Sequence, residues 1–547
     1  MDESLPIASP QRGDPPRATP ADVTTVSGVD QVGQVAIVRG AQTSLSVTES
    51  IDVLGFGWYQ VGVLACVGGL VLADSCALGI VSPLNDALDA EMHLTTTMKA
   101  TLPTLLYLGT AVGALIAGPI GDRTGRVAPI YVSYMGVILT SLWLISLNAE
   151  KQVELAGCRF LMGFACGLGQ PVSFALVSET MPSSARAAAL YALAFFGILG
   201  YMLASFGMRL FLPDLGATAG HWRHLVAFTA VPSVLCLLLS FWLLEESPSF
   251  LAVSGDSAGV QRVMDKIAAS NVSGYRSSSQ STNRWAVFSA RVDRDAGHSM
   301  LSTLAAVSVL VDQYFWPALA ICTVDTFRGF MVAGTAYTFP KLLSQVEDSR
   351  FAPATLDLIS QTTAIAGIVV GVMLARSRVP HRAVIGTAAV AAAISLLSLV
   401  VMNRGSSVLV LLCCIAVRFT YHPMHAALST IAVETFPTEF RATAIGGYHL
   451  VSKFGIVAAP AILEMELAES TARAVVLLAA AAACAGLSSL ALPATDAQLP
   501  LKDFADPNRT QGPAERAAET LLKMKLPAGR CRSEDGATYG TMPKLSA

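Results

Sequence analysis

The amino-acid sequence predicts an all-α membrane protein with twelve transmembrane helices in two six-helix bundles. Of the 547 residues, 53% are hydrophobic and only 14% are charged. A soluble chain usually carries about 25% charged residues, which its surface uses to face water. Apolar runs also recur along the chain at about 20 residues each, the length that crosses the hydrocarbon core of a bilayer. Lipid therefore takes the place of water as the solvent for most of this chain.

The apolar runs fall into two sets of six. The spans predicted for the first set are 61–83, 100–120, 128–148, 154–179, 188–211 and 224–244. Those predicted for the second set are 316–339, 354–375, 383–402, 407–433, 442–463 and 472–493. Residues 300–312 are also apolar and predict an interfacial helix leading into the seventh span. We therefore expect an N-terminal bundle at 53–244 and a C-terminal bundle at 305–493.

Three polar segments surround the bundles. The composition of residues 1–52 predicts a disordered tail, 245–304 form a central loop, and 494–547 form a second tail. The central loop is rich in basic residues, whereas the loops expected on the other side, 84–98 and 212–221, contain few. Because Lys and Arg concentrate in cytoplasmic loops, both tails and the central loop are predicted to be cytoplasmic.

Several functional classes lack support in the sequence. A net charge of -3 argues against a nucleic-acid-binding surface. Most of the ten cysteines lie inside apolar runs, and no CxxC pair has a matching set of histidines, so we expect no metal. There is no nucleophile–base set and no phosphate-binding glycine loop. The chain is therefore not expected to be an enzyme or to bind a cofactor.

One motif occurs at the end of both the fourth and the tenth predicted span. It reads E-x-x-P-x-x-x-R, and its residues are Glu179, Pro182 and Arg186 in the first copy and Glu434, Pro437 and Arg441 in the second. The proline should end or kink the helix, and the charged residues should pair with each other or with a neighbouring loop. Duplicated halves are typical of transporters with a substrate site between them, although interfacial anchors are an alternative interpretation.

The loop after the second span contains glycines and charges at fixed spacing. Its residues are Gly118, Gly121, Asp122, Arg123, Gly125 and Arg126. The glycines predict a tight cytoplasmic turn, and the charges predict a network that fixes one group of helices against another. This string resembles the signature loop of the major facilitator superfamily, from which it departs at Val127, where a second basic residue is usual.

Other segments share this resemblance, which covers about residues 53–496. They include Glu246-Ser-Pro248 after the sixth span, Lys453-Phe-Gly455 in the eleventh and Leu492-Pro493 after the twelfth. Within the superfamily, Gly55-Phe-Gly57-Trp-Tyr-Gln60 is similar to the branch of proteins related to synaptic vesicle protein two, which also holds organic ion and niacin carriers.

The resemblance implies a secondary active transporter of a small organic solute, either an organic ion or a carboxylate, working by alternating access. It implies a monomer in the plasma membrane or an intracellular vesicle membrane, with an organic substrate, protons and the lipid bilayer as partners and no nucleic acid. Two alternatives stay open. One is a sugar-type carrier of the same superfamily, and the other is a receptor or vesicle membrane protein that transports nothing.

Polar groups inside the predicted spans are the candidate substrate and proton pathway, because charge at bilayer depth is costly and usually functional. They are Asp74, Arg159, Asp325, Arg328, Arg418 and Tyr421. Arg159 and Arg418 are the candidate partners of a substrate carboxylate. Asp325 and Arg328 share a helix face, so they serve the pathway or simply neutralise each other.

Asp74 is the candidate proton carrier because its own helix offers no cation three or four residues away. A buried carboxyl group without a partner binds a proton readily. The alternative is a permanent ion pair with an arginine from another helix, for which Arg159 is a candidate.

Overall fold

The computed structural model describes residues 47–148, 151–216, 220–271, 300–346, 350–375, 377, 379–401, 407–436 and 441–493. These residues are almost entirely helical. In chain order the helices are α1 Val47–Leu54, α2 Trp58–Gly79, α3 Val81–Met92, α4 Thr96–Thr124, α5 Val127–Ser146, α6 Gln152–Thr180, α7 Ser183–Phe211, α8 Trp222–Leu243, α9 Pro248–Ser254, α10 Ser257–Asn271, α11 Met300–Ser344, α12 Pro353–Ala375, α13 His381–Val401, α14 Ser407–Thr435, α15 Arg441–Glu469 and α16 Thr471–Ser488.

Ten of the helices in the described ranges are long and apolar enough to cross a membrane, namely α2, α4, α5, α6, α7, α8, α12, α13, α14 and α16. Helices α11 and α15 pack against each other, and α11 also packs against α16, in the second half of the chain. Tyr314 leaves helical geometry and divides α11 into a lead-in segment and a longer helix. The helical lead-in agrees with the prediction for residues 300–312.

The two halves use the same order of helix contacts. In the first half, α2 packs against α7 and α8, while α5 packs against α6 and α8, and α4 against α6. In the second half, α11 packs against α15 and α16, while α13 packs against α14 and α16, and α12 against α14. The halves meet where α4 contacts α15 and where α7 contacts α12. This repeated packing supports the duplication that the repeated motif predicts.

Short helices mark the two ends of the molecule. Helices α1, α9 and α10 lie at one end, which we call the α10 end, and α3 lies at the other, which we call the α3 end. Helix α10 buries Val260, Val263 and Ile267 in the same apolar cluster as the first half of the bundle. At its last residue, the Asn271 amide donates to the Gly55 carbonyl at 3.0 Å and ties the central loop to the start of α2.

Two expectations about irregular segments are wrong. The tail predicted to be disordered through residue 52 is helical from Val47, because Ile51 packs into the core and the Asp52 carboxylate accepts from the Ser183 amide at 2.5 Å. The segment predicted as the loop 84–98 begins with α3, which buries Leu84 and Leu88. Residues 1–46 and the tail 494–547 lie outside the described ranges.

Membrane orientation can be measured at the α10 end. We expect a cysteine at position 270, placed by Ser270→Cys in a cysteine-free background, to be protected from an impermeant maleimide in intact cells, since the central loop is predicted to be cytoplasmic. Ser270 is exposed, so permeabilised cells should give full labelling. Labelling of intact cells at the permeabilised level would contradict the orientation.

Candidate functional site

Asp74 lies in α2 among apolar residues, and only 4% of its surface is exposed. Within the described ranges, neither carboxyl oxygen has a hydrogen-bond partner of normal geometry. The Cys166 thiol of α6 lies beside it, and Tyr134 of α5 is within electrostatic range. Asp74 is therefore a buried acid whose neighbours among the described residues are weak hydrogen-bonding groups, with no cation among them.

Arg159 lies in α6 and is 1% exposed. Among the residues that the structure describes, none of its three guanidinium nitrogens has an acceptor. One turn further along, α4 packs directly on α6, since a Cβ atom on Gly163 would overlap the Leu106 carbonyl. Burying a guanidinium without an acceptor has a high desolvation cost. Such a group is a candidate ligand-binding residue.

Asp74 and Arg159 do not pair with each other, because both are without hydrogen-bond partners in the described part of the chain. The permanent ion pair considered from the sequence is therefore not formed between these two side chains in this structure. Within the described ranges, Asp74 and Arg159 are therefore each without a compensating partner.

Arg418 of α14 has a different environment. Its guanidinium donates to the Asp357 carboxylate at 2.8 Å and to the Ser360 hydroxyl at 2.7 Å, both on α12. It also lies 5.6 Å from the centre of the Phe339 ring. The Ser205 hydroxyl of α7 donates to Asp357 at 2.5 Å, so this pair also joins the two halves. Arg418 is thus already neutralised, in a contact that the sequence did not reveal because Asp357 lies 61 residues away.

The remaining predicted pathway residues make their contacts within the C-terminal bundle, between helices for Tyr421 and within α11 for Asp325 and Arg328. The Tyr421 hydroxyl of α14 forms a hydrogen bond with Thr335 of α11. Arg328 donates to the buried Asp325 carboxylate at 2.7 Å, as their spacing predicts. Lys453 of α15 lies within electrostatic range of this pair. The structure therefore places Asp325 and Arg328 together, while Arg159 and Asp74 lie in the other half.

Arg126 is the centre of a charge network at the α10 end. Its guanidinium donates to Asp122 at 2.8 Å, to the Gly121 carbonyl at 2.6 Å and to Glu179 at 3.0 Å. Its backbone amide donates to Glu246 at 2.7 Å. The predicted network between Asp122 and an arginine is present, and it extends to α6 and to the segment before α9.

The glycines of this loop motif do not all lie in a turn. Gly118 and Gly121 belong to the last turns of α4, and Gly125 alone forms the turn, with φ of 92°. A Cβ atom on Gly125 would also overlap the Glu246 carboxylate. The side chain of Arg123 is exposed. The expectation of a glycine-built turn is therefore wrong for Gly118 and Gly121, because the helix continues to Thr124.

The first copy of the repeated motif separates helices α6 and α7. Helix α6 ends at Thr180, and Pro182 precedes the first residue of α7. Glu179 pairs with Arg126 of the neighbouring loop, while the Nε atom of Arg186 is buried without an acceptor in the described ranges. Pro182 thus has the helix-ending role that the sequence predicts.

The second copy is only partly described. Helix α14 ends at Thr435 and α15 begins at Arg441, so the motif again lies between two helices. Pro437 and the side chains of Glu434 and Arg441 lie outside the described part of the structure.

Neutralising Asp122 tests the network at the α10 end. We expect Asp122→Asn to leave membrane insertion intact and to slow solute uptake, the activity that the resemblance implies, several-fold. The variant loses the ion pair with Arg126, which we expect to bias one conformation. The effect should be modest, since the Asp122 side chain is 52% exposed and exposed ion pairs contribute about 0–1 kcal/mol. Initial uptake rates at matched surface expression measure it, with Glu154→Gln as the control because Glu154 pairs with Lys151 on the surface. A rate equal to that of the unmodified protein would contradict the proposed bias.

A polar cluster at the α3 end joins the two halves and was missed from the sequence. Lys341 of α11 lies 3.1 Å from the Asp86 carboxylate of α3 and 2.7 Å from the Glu464 carboxylate of α15. The Tyr337 hydroxyl donates to Glu464 at 2.7 Å, and the Asn85 amide donates to Tyr337 at 3.2 Å. These contacts close the α3 end between the halves.

Comparison with known proteins gives one family match. The family model of the Major Facilitator Superfamily matches residues 67–460 of this chain. The organic cation/carnitine transporter 7 of Arabidopsis thaliana is 28% identical over 42% of this chain, and the synaptic vesicle 2-related protein of Bos taurus is 28% identical over 41%. These matches span 44% and 39% of the two relatives, less than half of each. The gallate transporter of Pseudomonas putida is 27% identical over 76% of this chain and 87% of its own length.

A solved structure shows the same fold. The inward-open conformation of the xylose transporter XylE from E. coli is 16% identical, with a TM-score of 0.61 over 80% of this chain and 96% of that protein. The predicted superfamily and the predicted all-α membrane fold class are confirmed. The count of twelve spans and the cytoplasmic placement of both termini stay predictions, and relatives with names from the predicted branch are among the matches.

Proposed function

This chain belongs to the major facilitator superfamily, and from that premise we propose that it is a secondary active transporter of a small organic anion. The carboxylate group of the substrate binds Arg159. Transport proceeds by alternating access, in which the two bundles rock about a site between them. The protein is a multi-pass membrane protein, and its relatives are transporters rather than enzymes.

The contrast between the two buried arginines carries this proposal. Arg418 is neutralised by Asp357, whereas the guanidinium of Arg159 has no acceptor among the described residues. Arginine binds a carboxylate through two parallel hydrogen bonds, and this interaction is strong where water is excluded. A substrate carboxylate would supply the acceptors that the protein does not. The gallate transporter of Pseudomonas putida, a relative of this chain, is named for a carboxylate solute.

Asp74 accounts for the proposed coupling to protons. With Arg159 neutralised by a substrate carboxylate, a charged Asp74 would leave one net negative charge in the apolar centre of the bundle. A proton on Asp74 removes this charge, so the substrate-loaded site can pass through the conformational change as a neutral unit. When the site opens to the other side, water reaches Asp74 and the proton can leave. Substrate and proton would therefore move together in the same direction.

Uptake into proteoliposomes tests the function. Gallate, nicotinate and carnitine serve as carboxylate solutes, and xylose serves as a neutral control, each measured with and without an inward proton gradient. We expect saturable uptake of at least one carboxylate, accumulation only with the gradient, and no uptake of xylose. Uptake of xylose alone would favour a sugar-type carrier. Saturable binding without uptake would favour a receptor, and either result would overturn the proposal.

A further inference from the structure

The cluster at the α3 end contains more acid than base. Lys341 contacts both Asp86 and Glu464, so these three groups together carry a net negative charge when both acids are ionised. Lys341 and Glu464 belong to the same half of the molecule and have exposed side-chain fractions of 13% and 7%. Asp86 belongs to the other half, on α3. The ion pair between Asp86 and Lys341 therefore forms only when the α3 end is closed.

The hydrogen bonds of the cluster leave the surplus charge on Asp86. Glu464 receives both the Lys341 ammonium at 2.7 Å and the Tyr337 hydroxyl at 2.7 Å. Of the described side chains, the one that contacts the Asp86 carboxylate is Lys341, at 3.1 Å, although the Asp86 side chain is only 27% exposed. Glu464 is thus well compensated in the C-terminal half, while Asp86 is buried on closure beside a cation that another acid already neutralises.

The other charges around α3 belong to ion pairs of their own, although Lys99 also lies within electrostatic range of Asp86 and acts to lower its pKa. Lys99 of α4 pairs with Asp89 at 2.7 Å, and Arg223 of α8 pairs with Glu91 at 2.8 Å. Both pairs lie within the N-terminal half, so opening the α3 end breaks neither. Arg223 also lowers the pKa of Glu91 by hydrogen bonding to it, which keeps that pair ionised. Asp86 is the acid of α3 whose environment changes when the halves separate.

We propose that Asp86 is a proton-binding site of the gate at the α3 end, which takes up a proton from the outer solution when the gate closes and returns it when the gate opens. The proton moves between water and the Asp86 carboxylate, and Lys341 keeps its charge beside Glu464 throughout. Acidification of the outer side, where the distribution of basic residues places α3, therefore favours the closed gate. This site is separate from Arg159 and Asp74, and it acts whatever solute is carried.

The direction of the effect follows from linkage. In the closed gate, burial raises the pKa of Asp86 to about 6, although Lys341 acts to lower it. In the open gate the carboxylate is hydrated and should have an ordinary pKa of about 3.9. The proton-dependent stabilisation of the closed gate is therefore complete below the ordinary value and is lost as pH rises through about 6. Between about pH 7.5 and about pH 5, the ratio of closed to open gates should rise about tenfold.

Distance measurements between the two halves test this proposal directly. Spin labels on Thr97→Cys and Gln345→Cys would lie on exposed positions near the α3 end, on α4 and just after the last residue of α11, in purified protein in lipid nanodiscs. Pulsed electron resonance then gives the closed and open populations without any substrate. We expect the ratio of the closed to the open population to rise about tenfold when the pH is lowered from about 7.5 to about 5. A pH-independent ratio, or a shift towards the open gate in acid, would overturn the proposal.

Two variants separate Asp86 from other groups. Asp86→Asn imitates the protonated carboxyl, so its populations should be independent of pH over this range and resemble those of the unmodified protein in acid. Asp89→Asn is the matched control, because Asp89 lies on the same helix and pairs within its own half. It should keep the full response to pH. If the populations of Asp86→Asn respond to pH as those of the unmodified protein do, the proposal is overturned. If that variant does not fold, the direction in which pH shifts the populations of the unmodified protein still decides the question.

Discussion

Replacing Arg159 with methionine is expected to abolish uptake of the substrate without lowering the stability of the fold. The variant removes a buried cation that has no acceptor in the described ranges, so the apolar replacement removes an electrostatic cost. It also removes the proposed partner of the substrate carboxylate. Loss of one member of a buried charge pair costs about 2–5 kcal/mol, so the affinity should fall by about 30-fold or more. Uptake in proteoliposomes and thermal melting of the purified protein measure the two effects.

Arg418→Met is the matched comparison for that variant. It removes a buried arginine of the same kind, but it leaves the Asp357 carboxylate buried without its cation. Breaking a buried ion pair in this way destabilises a protein by about 3–5 kcal/mol. We therefore expect Arg418→Met to melt at a lower temperature than the unmodified protein, whereas Arg159→Met should melt at the same or a higher temperature. Equal destabilisation by both would show that Arg159 has a structural partner and would contradict its proposed role.

Replacing Asp74 with asparagine is expected to separate exchange from accumulation. Asparagine has nearly the shape of the protonated carboxyl group but cannot release a proton. Asp74→Asn should therefore exchange labelled for unlabelled substrate across the membrane and should not concentrate substrate against a gradient. An idle charge at this depth would cost about 2.5–3.5 kcal/mol, which makes a carboxyl without a function improbable at this position. Counterflow and proton-driven uptake in the same proteoliposomes measure the two activities.

The control for Asp74→Asn is Asp89→Asn, which neutralises an acid in a partly exposed pair with Lys99. This control should keep both exchange and accumulation. If Asp74→Asn accumulates substrate as the unmodified protein does, with the same dependence on pH, then coupling resides elsewhere. If it is inactive in both assays and also unstable, a structural role of Asp74 would be favoured instead.

The sequence predicts the helices of the bundles well because a span needs about 20 apolar residues whatever its tertiary contacts. The loop and repeat motifs also predict local features correctly, such as the pairing of Arg126 with Asp122 and the break at Pro182. The helix α3 was missed, because it is short and mixes apolar with polar residues. Helix α3 is buried by contacts with α4 and α11, and the local sequence pattern does not predict these contacts.

The sequence does not distinguish the environments of the buried charges. Arg159 and Arg418 look equivalent as isolated arginines in apolar spans, and only the fold shows that Asp357 neutralises one of them. Likewise, the cluster of Asp86, Lys341 and Glu464 draws its members from three helices far apart in the chain. Compensation of a buried charge is a property of tertiary packing, so these assignments required the structure.

The proposed mechanism assigns the two sets of contacts different tasks. The pairs at the α3 end hold the halves together in this structure, and the Arg126 network organises the α10 end of the N-terminal half. Arg159 and Asp74 lie in the spans between these ends and would respond to substrate and proton. A ligand shifts a conformational equilibrium only as far as it binds the two conformations differently. Substrate binding can therefore favour one arrangement of the halves only through groups, such as Arg159 and Asp74, whose contacts differ between the arrangements.

The central claim is that Arg159 binds the carboxylate of the transported solute, and paired solutes test it most directly. Uptake of gallate, nicotinate and carnitine is compared with uptake of their primary amides, in proteoliposomes that contain the unmodified protein or Arg159→Met. We predict that the unmodified protein takes up at least one acid and discriminates strongly against its amide, and that Arg159→Met takes up neither. Equal uptake of an acid and its amide by the unmodified protein, or retained uptake of the acid by Arg159→Met, would contradict the claim.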